Sequence, residues 1–282
     1  MIAEFLESWA LFRVTYLAGW LIAFQLALVG VWVVARNQIF LGVAVAQAST
    51  LGIALALWAG SLGAAAGLAW LQSDWIAAGL AVIASVATAV LTAREPKPGG
   101  ESAEAVTGWV YLLAASLPVL LLARDPHGLE EVHHLIFSTL LGASSLDLVV
   151  FAALAVTSAL LVVSFRDRLL LFALDPEMAA ALGQRRRLWN AAVAIWLGLT
   201  VGLSIRVSGT LYTFGCLVLP ALIAKHWLRE IRPLLLVAPA VALLAAVAGF
   251  VGAHHWDVPP AHATVALLCG LLLASWAVGR RR

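Results

Sequence analysis

No charged side chain interrupts the stretch from Val14 to Ala35, VTYLAGWLIAFQLALVGVWVVA. That is longer than the roughly 18 apolar residues that separate a membrane-crossing helix from a buried one. Runs of similar character follow at 39–60, 62–93, 105–123, 146–165, 188–207, 209–227, 234–253 and 261–279. A soluble chain of 282 residues needs a broad polar exterior, yet 63% of these residues are hydrophobic and only 11% charged. The runs do not alternate polar with apolar residues as barrel strands do, so the spans are expected to be helices. The opening MIAEFLESWALFR carries acids where a cleaved leader would be basic. Cys216 and Cys269 lie inside apolar runs, at no disulfide or metal spacing.

Charge assigns the sides. Basic residues cluster at Arg36, Arg94/Lys97, Arg166/Arg168, Arg185–Arg187, Lys225/Arg229/Arg232 and Arg280–Arg282. The alternate ends carry Glu4, Glu7, Asp74, Glu130, Glu131 and Asp257, with few arginines. The excess of Lys and Arg in cytoplasmic loops places the first set inside. Arg36 and Arg94 then share a side, so the ambiguous region from Ile39 to Ala93 crosses twice. The expectation is an all-α polytopic integral membrane protein of about eight to nine transmembrane helices, nine by this parity. It puts the N-terminus outside and the C-terminus inside, in a single transmembrane domain over 1–282. The external segment 124–146 has an apolar second half too short to cross, as a re-entrant or interfacial helix would. The linker 94–104, REPKPGGESAE, reads as solvated. No internal repeat is evident.

The stretch LLLFALDPEMAAALGQRRRLWNAAVAIW, 169–196, interrupts the greasy pattern on the cytoplasmic side. Asp175-Pro176 is a helix-start signal, an acidic N-cap with proline at the first helical position and Glu177 in the first turn. A short helix over Met178–Leu182 is expected, stopped by Gly183 in a left-handed conformation. It suits either a surface connection anchored at headgroups by Arg185–Arg187 or a docking helix whose small face, Ala179, Ala180 and Ala181, permits close approach.

FALDPEMAAALG resembles the cytoplasmic coupling segment of permease subunits of ABC importers for zinc, manganese and iron. Three further stretches agree in order and sidedness. RNQIFLGVAVAQASTLGIALAL (36–57) is similar to the family's second-helix signature. VSGTLYTFGCLVLPALIAKHW (207–227) resembles the motif leading through an aliphatic run to Pro-Ala, and HHWDVPPAHATVALLCGLLL (254–273) the last external turn and final helix. The resemblance implies a homodimeric pore in the cell inner (cytoplasmic) membrane, a separate cytoplasmic ABC ATPase subunit binding ATP and Mg, and an extracytoplasmic substrate-binding protein. It implies contact with the ATPase over about 169–187, through Asp175, Pro176, Glu177, Ala180 and Gly183. The chain itself has no G-x-x-x-x-G-K-[ST] phosphate loop, because neither Lys97 nor Lys225 follows a glycine.

Members of that family typically carry an aspartate and, four residues on, a histidine in the second-helix signature, a spacing that puts both on one helix face to meet a divalent cation. Here those positions hold Val43 and Gln47. Valine offers no lone pair, and an amide is a feeble ligand beside imidazole or carboxylate. The aspartate often found in the external segment corresponds to Ser138 or Thr139. The translocation path is therefore expected at Val43, Gln47, Ser49, Ser138 and Thr139, for a divalent metal ion as cargo. Histidines gather at the external ends, where His133, His134, Asp257 and His262 suit interfacial caps and hydrogen-bond partners, the commoner use, or a metal entry site. Gln25, Thr200, Ser204 and Thr213 suit helix–helix contacts or a water path, and Gly52, Gly60 and Gly63 suit close packing. The twelve tryptophans fall largely at span ends, as interfacial belts do.

The reading that unites these features is a permease subunit of an ATP-driven importer for a divalent metal ion, with no chemistry of its own. The same fold with altered or lost metal specificity is the alternative. A secondary carrier would need ionisable groups at membrane depth, which are nearly absent. An enzyme would need an acid, base or metal cluster at one depth.

Overall fold

The computed structural model describes residues 2–65, 73–93, 101–123, 130, 142–228 and 230–279. The described elements are helices α1 (Ile2–Ala35), α2 (Ile39–Ala65), α3 (Asp74–Thr92), α4 (Ala103–Leu122), α5 (Ser145–Leu174), α6 (Pro176–Ala181), α7 (Arg186–Trp227), α8 (Ile231–Trp256) and α9 (Pro260–Gly279). All but α6 are long and apolar enough to cross a membrane, giving 8 such helices. Over 39–93 the described residues form two helices, in line with the two crossings expected from charge parity. The second run is shorter than expected: α3 begins at Asp74, with Ser73 as its N-cap.

The difference between 8 helices and nine crossings lies in α7. A straight helix of its 42 residues would be about 63 Å long, twice the ~30 Å hydrocarbon core. Gly209 interrupts it with φ 72 and ψ 172, a left-handed value that glycine tolerates and a branched residue does not. The segments on either side, 186–208 and 210–227, each match a single crossing, so the two apolar runs expected there share one chain of helix. Most of the external segment 124–146, including its expected re-entrant part, lies outside the described residues, as does the linker from 94 to 100.

The chain divides into two compact units rather than one. The first comprises residues 1–38, 138–184 and 211–282; the second comprises 39–137 and 185–210. In the second unit, helices approach through small residues. A Cβ placed on Gly52 of α2 would stand 2.7 Å from the Leu80 carbonyl carbon and 2.8 Å from the Ala81 Cα of α3. Gly198 and Gly202, one turn apart on α7, face α3 the same way: their Cβ positions would come 2.8 Å from the Val86 nitrogen and 2.9 Å from the Val82 Cα. The buried face of α3 is correspondingly small and hydroxylated, with Ala81, Ser85, Thr88, Ala89 and Thr92. Ser85 donates to the Gly198 carbonyl at 2.7 Å and Ser49 to the Gly202 carbonyl at 3.4 Å. Lipid tails offer no hydrophobic drive for helix pairing, so close backbone approach and such hydrogen bonds hold the helices together.

The first unit is organised around α1, much of which is buried. Gly30 lies against the Leu217 carbonyl of α7, Tyr212 donates to the Gly19 carbonyl at 3.0 Å, and Gln25 donates to Ser158 of α5. Gly249 of α8 is in contact range of Thr264 of α9, where a Cβ would come 2.8 Å from the Thr264 Cα. Asp147 would be costly at a span end, but it closes a capping box. It accepts from the Ser144 amide at 2.9 Å while its own amide donates to the Ser144 hydroxyl.

Candidate functional site

The short helix α6 is built by local rules. Asp175 Oδ1 accepts from the Met178 amide at 2.9 Å, Pro176 occupies the first turn, and Glu177 adds a charge that favours the positive helix start. At the other end, Gln184 donates to the Ala179 carbonyl and Gly183 to the Ala180 carbonyl, both at 3.0 Å. Gly183 has φ 83. Together these bonds form a Schellman close, which requires a left-handed residue at that point. The helix runs Pro176–Ala181, one residue earlier at its end than the sequence pattern indicates. α5 leads into it through the non-helical Asp175, and Leu169, Leu170, Phe172 and Ala173 at the C-terminal end of α5 are buried. The Arg36 guanidinium lies 4.9 Å from the Phe172 ring centroid, and Asp167 accepts from Arg232 at 3.3 Å.

The face that α6 presents differs from the expected alanine surface. Ala179 is 1% exposed and faces inward, so it cannot contact a partner. Met178 and Leu182, one turn apart, are 54% and 65% exposed. Glu177, Ala180 and Ala181 are exposed beside them. The result is a small apolar knob on the surface, edged by an acid on one side and by Arg185 and Arg187, both exposed, on the other.

On α2, Val43 and Gln47 are both half-buried and lie one turn apart on a single face with Phe40, Leu51, Trp58 and Leu62. Gln47 is the half-buried polar side chain on that face, with the exposed Ser61 near its far end. Ser49, expected alongside them, points elsewhere: two residues on from Gln47 is a rotation of about 200°. It is fully buried, and its hydroxyl is used on the Gly202 carbonyl. Ser138, Thr139, His133 and His134 lie outside the described residues.

At the opposite end of the first unit, Asp257 ends α8 in a left-handed conformation, φ 52 and ψ 41. Its amide donates to the Ala253 carbonyl, as does that of Val258. His262 lies in the first turn of α9. Among the described residues no three His, Cys, Asp or Glu side chains form a group able to hold a metal ion, so Asp257 and His262 are not joined there by a third ligand. Asp257 and His254 instead help to line a cavity of about 300 Å³. Sequence reasoning missed that cavity, and also missed Gly198 and Gly202, whose i, i+4 spacing of small residues was the available signal.

The chain resembles known proteins over part of its length in sequence. It is 25% identical over 170 residues to a manganese transport system membrane protein of Synechocystis sp., covering 60% of this chain and 55% of that protein. It is 24% identical over 175 residues to a chelated iron transport system membrane protein of Yersinia pestis, covering 62% and 59%. The matched stretches thus span about half the length of the curated relatives. Among solved structures, PsaBC from Streptococcus pneumoniae in complex with Fab superposes with a TM-score of 0.79 at 18% identity, over 98% of this chain and 95% of that one, a likeness of fold. Residues 8–279 match the ABC 3 transport family, and with its apolar crossing helices the chain is a multi-pass membrane protein belonging to that family.

Proposed function

We propose that the chain is the permease subunit of an ATP-driven importer in the cytoplasmic membrane. It carries a divalent metal ion, of the manganese, iron or zinc type, and works with a cytoplasmic ATPase, an extracytoplasmic binding protein and a second copy of itself. The observation that carries this reading is α6: a helix of only six residues, closed by caps at both ends, projecting an apolar knob where a partner can grip it. Isolated helices this short are unstable in water, so its complete capping points to a surface held ready for contact. Asp175, Pro176 and Gly183 fix the shape, while Glu177, Met178, Ala180 and Leu182 make the contact. ATP-driven movement of the partner is then delivered through α5, whose cytoplasmic end continues into α6.

A second reading concerns the cargo. The half-buried face of α2 carries the Gln47 amide and no ionisable group, which suits an ion that keeps its water or arrives inside a chelate better than a bare cation held by the helix. Two relatives bear on this point, one named for manganese and one for chelated iron. The test is uptake into proteoliposomes holding this chain with its ATPase and binding protein. ATP-dependent accumulation of labelled manganese or iron supports metal import. Accumulation only when a chelator is present selects the second reading, and ATP-independent uptake overturns both.

A further inference from the structure

We propose that the cavity at the acidic end of the first unit is a headgroup site for an aminated phospholipid of the ethanolamine type. Phe12 and Tyr16 of α1 line it, and Phe250 of α8, which is fully buried, packs against Tyr16. Tyr16 and Phe250 lie 5.8 Å apart between centroids at 60°, a tilted pair that holds both ring faces in place. The polar lining is Thr15, His254 and Asp257, and none of the described lining side chains is a lysine or arginine. Aromatic faces beside a single carboxylate attract an alkylammonium and repel a phosphate. About 300 Å³ is at the lower end of small-ligand sites, enough for a headgroup and too little for a large solute.

The depth favours a lipid. The adjoining crossing segments are Trp9–Ala35, Ile231–Trp256 and Pro260–Ala277, so the cavity lies where these three helices reach the membrane surface. Trp9 packs against Tyr16 and Trp20 against Phe250, and Trp256 directly precedes Asp257, a clustering of tryptophans that suits the headgroup level. Leu11 and Trp256, 79% and 68% exposed, present apolar surface to acyl chains beside the opening. Arg13, exposed on the same turn as Phe12 and Thr15, provides a cation outside the cavity for the lipid phosphate. The left-handed Asp257 followed by Val258-Pro259-Pro260 makes a stiff rim, so the backbone that carries the carboxylate is restricted before the ligand arrives.

The experiment is native mass spectrometry of the full-length chain released from nanodiscs containing equal phosphatidylethanolamine and phosphatidylglycerol. Wild type is expected to retain the ethanolamine lipid preferentially. Asp257→Asn keeps the left-handed backbone, which asparagine tolerates, and should reduce that preference by about 1.5-fold to fivefold, the range of an exposed charge pair. Phe12→Leu keeps the apolar volume but removes the ring face, and should reduce it by about twofold to fivefold. Asp74→Asn, an acid at the start of α3 in the other unit, should leave it unchanged, and unchanged thermal unfolding would show that each variant is folded. Equal retention of both lipids by wild type, or an Asp257→Asn preference equal to wild type, overturns the proposal. So does displacement of the bound species by micromolar free ethanolamine, which would make the occupant a soluble amine.

Discussion

Removing both caps of α6 should release the ATPase without disturbing the membrane fold. Asp175→Ala removes the Oδ1 acceptor of the Met178 amide, a bond of 2.9 Å, and losing such a cap costs about 1 kcal/mol. Gly183→Ala meets no steric obstacle, since nothing lies within 4 Å of its Cβ position. Its whole effect is therefore the left-handed φ of 83, worth about 1–2 kcal/mol for an alanine. Together the two changes disfavour the bound shape by about 2–3 kcal/mol, or roughly 30- to 150-fold at 1.4 kcal/mol per factor of ten. Residues 175 and 183 are both exposed, so the thermal unfolding midpoint in detergent should stay within a degree or two. Titrating the purified ATPase against the variant in nanodiscs should show a Kd raised by at least tenfold. A Kd within twofold of wild type, with α6 uncapped, would refute the argument that this helix is the grip.

Other perturbations test the packing and the path. Gly202→Val would drive a branched side chain into the Val82 backbone and should lower stability by about 1–3 kcal/mol, whereas Gly270→Ala, with nothing within 4 Å, should be neutral or stabilising by up to about 1 kcal/mol; thermal unfolding of the pair reads the contrast. Ser85→Ala, which loses the 2.7 Å bond to Gly198, should cost about 0.6 kcal/mol in the same assay. Val43→Asp combined with Gln47→His places two ligands one turn apart on α2, and should raise manganese affinity measured by calorimetry by at least tenfold. No gain would mean that this face is not open to the ion.

The parts of this account legible in the sequence are those set by local rules. Asp175-Pro176 and Gly183 announce α6 because capping acts within a few residues, and the alternation of arginine-rich and acidic ends divides 39–93 into two crossings. What stayed hidden depends on which face a helix turns toward its neighbours. Ala179 and Ala180 are adjacent and identical, yet one is buried and the other exposed. Ser49 and Gln47 lie two residues apart and point to nearly opposite sides. The runs 188–207 and 209–227 read as separate helices, but the break is confined to the single residue Gly209. The aromatic cavity draws residues near 12 and near 254 together, a separation across which no periodicity reports.

The central claim is that α6 faces the cytoplasm and is covered by the ATPase. It is tested most directly by a cysteine placed at Ala180 in a Cys269→Ser background, with Cys216 left buried, and treated with a membrane-impermeant thiol reagent. The account predicts no labelling in intact cells, ready labelling in inside-out vesicles stripped of the ATPase, and protection when the ATPase is added back. Labelling from outside the cell, or labelling in inverted vesicles that the ATPase does not slow, would contradict it.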